Sequence, residues 1–303
     1  MAIVDTVQPV VIPVQEQEQL RARYGWHVIL KSWKLTTGIF FLLVLVLFSL
    51  VGRLFLDYDQ TTVGAGMLNA RPSLAYPLGT DNVGRNLLAM MVYGILPSLE
   101  VGLIAGLVGT VVGTLLGLIA GYVRGPADSI IRSLADITLT IPSLLILIVI
   151  ASYLRTTSIE LTALVIAIFA WAGPTRAIRA QTLSMRERGF VQVAKLSGRS
   201  DLKIIVLEIM PNLMPYLAAG FVGSVSGGVL ALVGIQLLGL GPLYTPNLGM
   251  ILQTAQFGSA LYRGMWWWWG PPVVALMILF IGLFLISLAL DEYANPRLRE
   301  KAG

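Results

Sequence analysis

Residues 175–211 read TRAIRAQTLSMRERGFVQVAKLSGRSDLKIIVLEIMP, and this stretch decides how the chain is organised. It carries seven Lys/Arg, namely Arg176, Arg179, Arg186, Arg188, Lys195, Arg199 and Lys203. The 303-residue chain around it is 56% apolar and only 12% charged, and long uncharged runs flank the island on both sides. Basic residues collect on the cytoplasmic loops of membrane proteins, so the pattern predicts a cytoplasmic loop hung between two spans.

The bulk numbers agree. With mean hydropathy +0.79, the chain has too little polar surface to close as a soluble globule and reads as an integral membrane protein. The net charge of +5 needs no nucleic acid to explain it, because loop Lys/Arg account for it. The chain has no cysteine, which excludes disulfides and thiolate metal sites. About thirty largely polar residues precede the first apolar run, so that run is expected to be a retained span rather than a cleaved signal.

A bilayer core takes roughly 20 apolar residues per helix. Six spans are expected, at 35–56, 101–123, 137–154, 161–175, 213–238 and 271–290. Arg124, Asp128, Arg132 and Asp136 fall in the loop between the second and third, and a Gly/Pro-rich outer loop follows the fifth. With the N-terminus inside, sixteen of the 21 Lys/Arg lie on the cytoplasmic side, including Arg21, Arg23, Lys31, Lys34, Arg297, Arg299 and Lys301. Arg53, Arg71, Arg85, Arg155 and Arg263 remain outside or at the outer interface. This bias predicts that both termini are cytoplasmic.

Gly102, Gly106, Gly109, Gly113, Gly117 and Gly121 run down the second span at steps of three and four. In lipid such a row makes a smooth face for close helix contact, either inside the bundle or at a dimer seam. Gly220, Gly223, Ser224, Gly227 and Gly228 crowd near the fifth span, and serve either packing or a translocation pathway. The four tryptophans at 266–269 read first as an interfacial belt, with a carbohydrate-stacking platform as the other reading. No G-x-x-x-x-G-K-[ST] phosphate loop is present, and the single histidine, His27, gives no metal cluster or Ser/His pair. No Asp, Glu or Lys sits at the middle of an expected span, and Glu100 and Glu208 fall near span ends. That argues against a stand-alone proton- or ion-coupled transporter or channel, which needs a membrane-buried ionisable group.

Within the basic island, 184–207 reads as a helix–turn–helix. Phe190, Val191, Val193, Ala194 and Leu196 form an apolar surface, and Gly198 supplies a left-handed turn at the end of the first helix. Ser200-Asp201 begins the second helix, and Pro211 and Pro215 fall at the start of the following span. From the residues alone, two readings stay open: a solvated amphipathic loop, or a short rigid lever through which a cytosolic partner pushes on the spans.

Here the residues resemble a family. Gln192-Val193-Ala194-x-x-x-Gly198 followed by Pro211-Asn212 is similar to the EAA motif of ABC importer permeases, with Gln192 and Val193 in place of the usual acidic or polar residue and first alanine. Gly79-Thr80-Asp81-x-x-Gly84-Arg85-Asn86 resembles the GTD-x-x-GRD signature of dipeptide/oligopeptide/nickel permeases, with Asn86 where Asp is common. Leu238-Gly239-Leu240-Gly241 and Thr245-Pro246-Asn247-Leu248-Gly249 are similar to their outer loop, with Leu248 where Trp is frequent. Trp267-Trp268-Trp269, Pro271-Pro272 and Asn295-Pro296-Arg297-Leu298-Arg299 resemble the end of the second, C-type subunit.

The resemblance covers about 35–299. It implies an all-α type I ABC importer permease fold with six transmembrane helices, multi-pass in the inner or plasma membrane of a prokaryote. By that reading 1–34 and 291–303 are cytoplasmic tails, 35–56 is the first transmembrane helix and 57–94 is an extracytoplasmic loop. The permease core is 95–290, with a cytoplasmic coupling helix in the loop at about 184–207. The implied ATPase-coupling residues are Phe190, Val191, Gln192, Val193, Ala194, Lys195, Leu196, Gly198, Arg199 and Lys203, and the implied pathway residues are Gly220, Gly223, Ser224, Gly227 and Gly228. Implied partners are a homologous second permease, one or two P-loop ATPases holding ATP and magnesium, and an extracytoplasmic substrate-binding protein. The chain itself is expected to be no enzyme and to bind no cofactor or metal. Di- or oligopeptides are the implied cargo, with oligosaccharides or nickel chelates as alternatives.

Overall fold

The computed structural model describes residues 32–153 and 158–294. Arg21, Arg23, His27, Lys31, Arg155 and the 295–299 motif with its tail cations lie outside the described residues. Among the described residues, regular structure is helical apart from one isolated bridge between Thr80 and Asn86.

The long helices are α1 (Trp33–Gly52), α2 (Leu87–Val123), α5 (Ile159–Ala170) continuing into α6 (Ala172–Arg186), α9 (Met210–Leu237) and α11 (Trp266–Ala294). A helical turn and a π-segment, α8 (Asp201–Ile204) and Ile205–Ile209, lead directly into α9. Five helical stretches are thus long and apolar enough to cross a membrane. A bent pair, α3 (Gly125–Thr140) and α4 (Ser143–Tyr153), meets at 77° and makes a sixth span when its two arms are taken as one. Ile141-Pro142 causes the break, since proline lacks the N–H to continue a helix and forces its predecessor out of the helical region. Ile141 accordingly sits at φ −80°, ψ 124°.

Several boundaries differ from the sequence reading, two of them with consequences for the packing. The second helix begins at Leu87, not 101, because the Asn86 side chain caps it by accepting from the Leu88 N–H at 3.0 Å. At 37 residues and about 1.5 Å each, α2 is far longer than a bilayer core of about 30 Å and projects beyond it. Glu100, expected at the span's end, therefore lies within α2. It is exposed two residues beyond Ser98, whose hydroxyl accepts from Leu248 N–H of the outer loop at 2.9 Å. Secondly, Arg124, Asp128, Arg132 and Asp136 are not in a loop. Arg132 and the two aspartates ride on α3, and Arg124 is its N-cap residue at φ 61°. The helix is amphipathic and pairs with α6 through Asp128–Arg179 and Asp136–Arg176, and with its end through Arg124–Glu187.

The six glycines of α2 are an internal seam. A Cβ on Gly102 or Gly106 would meet Val229 or Val225 of α9, and one on Gly109, Gly113, Gly117 or Gly121 would meet Ala170, Pro174, Ile178 or Thr182 along α5 and α6. The nearest atoms stand at 2.6–2.8 Å, closer than a side chain permits. Glycine here lets three backbones approach, which substitutes for the hydrophobic drive that lipid does not supply.

The loop end of the bundle is tightly organised. Asp81 accepts from the Val83 N–H (3.0 Å), the Arg85 N–H (2.8 Å) and Arg85 Nε (2.6 Å), closing a turn pinned by Gly79 and Gly84 at φ +67° and +81°. A Cβ on Gly79 would fall 2.8 Å from Trp267. Trp267 and Trp268 are buried core residues, with only Trp266 well exposed, so the tryptophan run is mostly packing and not an interfacial belt. The expected irregular outer loop contains a helix, α10 (Leu248–Phe257), capped by Asn247, whose Oδ1 accepts from Met250 N–H at 2.9 Å. Beneath it Gln236, Gln253 and Asn247 form a buried amide cluster.

Candidate functional site

Opposite the outer loop, at the basic end, the island folds as a helical hairpin. Its first arm is α7 (Gly189–Leu196), and its second is the α8 turn. Gly198 adopts φ +72° between them, with its N–H on Lys195 O (3.0 Å) while the Arg199 N–H reaches Ala194 O (3.2 Å). These two bonds are a Schellman closure, which satisfies the last carbonyls of α7 and needs a left-handed residue at Gly198.

Burial divides the hairpin residues into two faces. Val191 and Ala194 are buried with Ile204 against Leu118, Ile178, Leu213 and Leu217 of the bundle. They pack α7 against this chain. Phe190, Val193 and Leu196 point away, Val193 at 63% and Leu196 at 89% exposure. This leaves an apolar face on α7 that no part of the described chain covers. Gln192 donates to Arg186 O at 3.3 Å, and Arg199 pairs with Glu208 inside the chain. Lys195 lies 5.4 Å from the Tyr122 ring centroid. Lys203 remains exposed on the hairpin.

Tyr122 was not legible in the sequence. In the fold it is buried and meets both arms of the hairpin: its hydroxyl donates to Asp201 Oδ1 at 2.8 Å, and its ring lies under Lys195. No local signal exposes this, since Asp201 is 79 residues away.

The five residues grouped as a pathway separate as well. Nothing lies within 4 Å of a Cβ built on Gly220, Gly223 or Gly227, whereas Gly228 packs 3.0 Å from the Gly102 backbone. Gly228 is therefore part of the α2–α9 seam. Gly220, Gly223 and Ser224 line a cavity of about 240 Å³ with Thr110, Gly173 and Tyr216. At four-residue and three-residue steps, the open glycines lie on one face of α9.

Helices of this number, long and apolar enough to cross a membrane, make a polytopic membrane protein. Residues 113–300 match the model of the family described as binding-protein-dependent transport system inner membrane component. The chain is 30% identical to the dipeptide transport system permease protein DppC of Haemophilus influenzae, over 72% of this chain and 76% of that one. It is 35% identical to the oligopeptide transport system permease protein OppC of Lactococcus lactis subsp. cremoris, over 73% and 75%. To the glutathione transport system permease protein GsiD of Escherichia coli it is 26% identical, over 81% and 82%. The chain belongs to the binding-protein-dependent transport system inner membrane component family. It is a non-enzymatic permease subunit of an ABC importer.

Proposed function

We propose that this permease carries di- or oligopeptides into a prokaryotic cell, its basic end in the cytoplasm and α7 serving as the coupling helix for a partner ATPase. The observation that carries this reading is the two-faced hairpin. Val191 and Ala194 fix α7 to the bundle, and Phe190, Val193 and Leu196 offer an apolar face to a second protein. The excess of Lys/Arg at that end supports its cytoplasmic placement and the cytoplasmic tails at 1–34 and 291–303. The named cargoes of the relatives (dipeptide, oligopeptide, glutathione) support peptides over oligosaccharides or nickel chelates.

In this mechanism the chain pairs with a homologous permease, and the open face of α9 at Gly220, Gly223, Ser224 and Gly227 borders the pathway between them. Two P-loop ATPases, with ATP and magnesium, close on binding nucleotide and push on Phe190, Val193 and Leu196. Because α7 is packed on the ends of α2, α6 and α9, the push becomes a rigid-body movement of the spans. An extracytoplasmic binding protein delivers cargo to the surface built from 57–94 and α10. A mostly apolar wall with a few hydroxyls (Thr110, Tyr216, Ser224) and no charged side chain suits peptides of varied side chain.

The test is a gentle-detergent pull-down of the tagged chain from native membranes, followed by ATP-driven uptake of a radiolabelled dipeptide into proteoliposomes of the recovered complex. Recovery of a second permease and P-loop ATPases, with ATP-dependent uptake, supports the proposal. Recovery of the chain alone after crosslinking overturns it in favour of a secondary transporter, and uptake of sugar or chelated nickel in place of peptide overturns the cargo.

A further inference from the structure

Among the described residues, side chains from both arms of the hairpin converge on one ring at the inner end of α2, that of Tyr122. Tyr122 closes α2 and is only 4% exposed. Its hydroxyl donates to Asp201 Oδ1 on the second arm of the hairpin (2.8 Å). Two cations sit over its ring, Lys195 of α7 with Nζ 5.4 Å from the centroid and Arg186 of α6 at 5.7 Å. Arg186 also donates to Tyr122 O at 2.7 Å, while its own carbonyl accepts from Gln192 of α7. Four elements therefore meet at one ring. Cation–π contact orients without a directional bond, and the hydroxyl bond fixes the ring's rotation, so the pair resists both tilt and slide of α7.

The apolar packing of Val191 and Ala194 cannot do this alone. Such contacts are non-directional, and an eight-residue helix held only by them can roll when pushed. A roll would absorb the stroke before it reached α2. The ring also explains why the hairpin is tied to α2 in particular. That helix runs 37 residues to the outer loop, where Asn86, Ser98 and α10 sit, so a clamp at its inner end joins the two ends of the molecule.

We propose that Tyr122 is a positioning residue, a clamp that makes the hairpin and α2 move as one body during the transport cycle. This rests on α7 being the coupling helix.

The chain has no cysteine, so spin labels can be placed cleanly. Cysteines introduced at Ile119 (exposed on α2) and Ser197 (exposed at the hairpin turn) report the distance between the two bodies by pulsed electron resonance in the purified transporter complex. The wild-type distribution is expected to be narrow and to keep its centre between the nucleotide-free and ATP-trapped states. Tyr122→Leu is expected to broaden it. In proteoliposomes this variant should keep ATP hydrolysis within twofold while uptake of labelled dipeptide per ATP falls at least fivefold. Tyr122→Phe, which keeps the ring under the two cations but loses the bond to Asp201, should recover part of that ratio, and melting temperatures of the assembled variants close to wild type separate the clamp from a general loss of stability. A Tyr122→Leu distribution as narrow as wild type, or an unchanged ratio, overturns the clamp. If Tyr122→Leu fails to assemble, Lys195→Met takes its place, and a wild-type width there overturns the proposal equally. Failure of the coupling-helix reading looks different: the Ser197 label then shows no contact with the ATPase, whatever the width of the distribution.

Discussion

Arg179 and Asp128 meet side on, the guanidinium Nε and Nη2 donating to the two carboxylate oxygens, with the Nη2 bond at 2.8 Å. The pair joins α6 to α3, the first arm of the bent α3–α4 pair, and both side chains are about four-fifths buried. A bidentate pair of this kind is among the stronger surface-adjacent ties, and removing one partner strands the other. Asp128→Asn should lower stability by about 1–3 kcal/mol, seen as a reduced melting temperature in detergent. Exchanging the two residues should restore part of the loss. A melting curve unchanged by Asp128→Asn would remove the pair from the account of how α3 is held.

The hairpin faces predict opposite failures. Val193→Asp should leave expression and melting temperature near wild type while abolishing co-purification of the ATPase, because the residue is 63% exposed. Val191→Asp buries an unpaired carboxylate in a fully enclosed position, so the chain should fail to fold at all. Size-exclusion profiles and pull-downs of the two variants separate the outcomes. Equal behaviour would contradict the two-faced assignment.

Gly198→Val tests the turn. Space is not the obstacle, since nothing lies within 4 Å of a Cβ there, but φ is +72°. A β-branched residue in the left-handed region costs on the order of 1–2 kcal/mol and favours another turn geometry. Membrane insertion should be normal, with uptake per ATP reduced about tenfold. Full ATP-driven uptake by this variant would mean that the turn does not set the lever.

Two glycine substitutions should diverge sharply. Gly109→Val places atoms where Ala170 already lies 2.6 Å from a bare Cβ, and overpacking should destabilise by about 1–3 kcal/mol or more. Gly223→Ala meets open space and should leave the melting temperature unchanged, while altering the cargo-size range of uptake if α9 borders the pathway. Thermal melts with a peptide-length series decide both.

At the loop end, Gln236→Leu should be costly despite its similar volume. Gln236 Nε2 donates to Gln253 Oε1 at 3.1 Å, and Gln236 Oε1 accepts from Asn247 at 3.4 Å. The leucine leaves two buried amides without this partner, a loss of about 1–3 kcal/mol. Hydrogen exchange should rise in α10 and stay unchanged in α7.

The spans and the hairpin were legible because hydropathy and the Gly198 turn are local signals. Boundaries were less so. The start of α2 depends on Asn86 and on the packed Asp81–Arg85 turn, which let the helix leave the bilayer without fraying. The third span looked like one apolar run, and only the rigid geometry at Ile141-Pro142 divides it. The helix in the loop after α9 was not read because α10 is only ten residues long and one of its polar side chains, Gln253, faces a buried amide cluster in place of solvent.

The sequence by itself determined the all-helical membrane class, the basic end and the position of the left-handed turn, since each follows from residue type over a short window. Tertiary structure alone decided which way α7 faces, that Gly228 belongs to a seam while Gly227 is open, and that Tyr122 and Asp201 meet. Those facts depend on how each helix is rotated about its axis. That rotation is set by close packing between segments far apart in the chain, which no local pattern encodes.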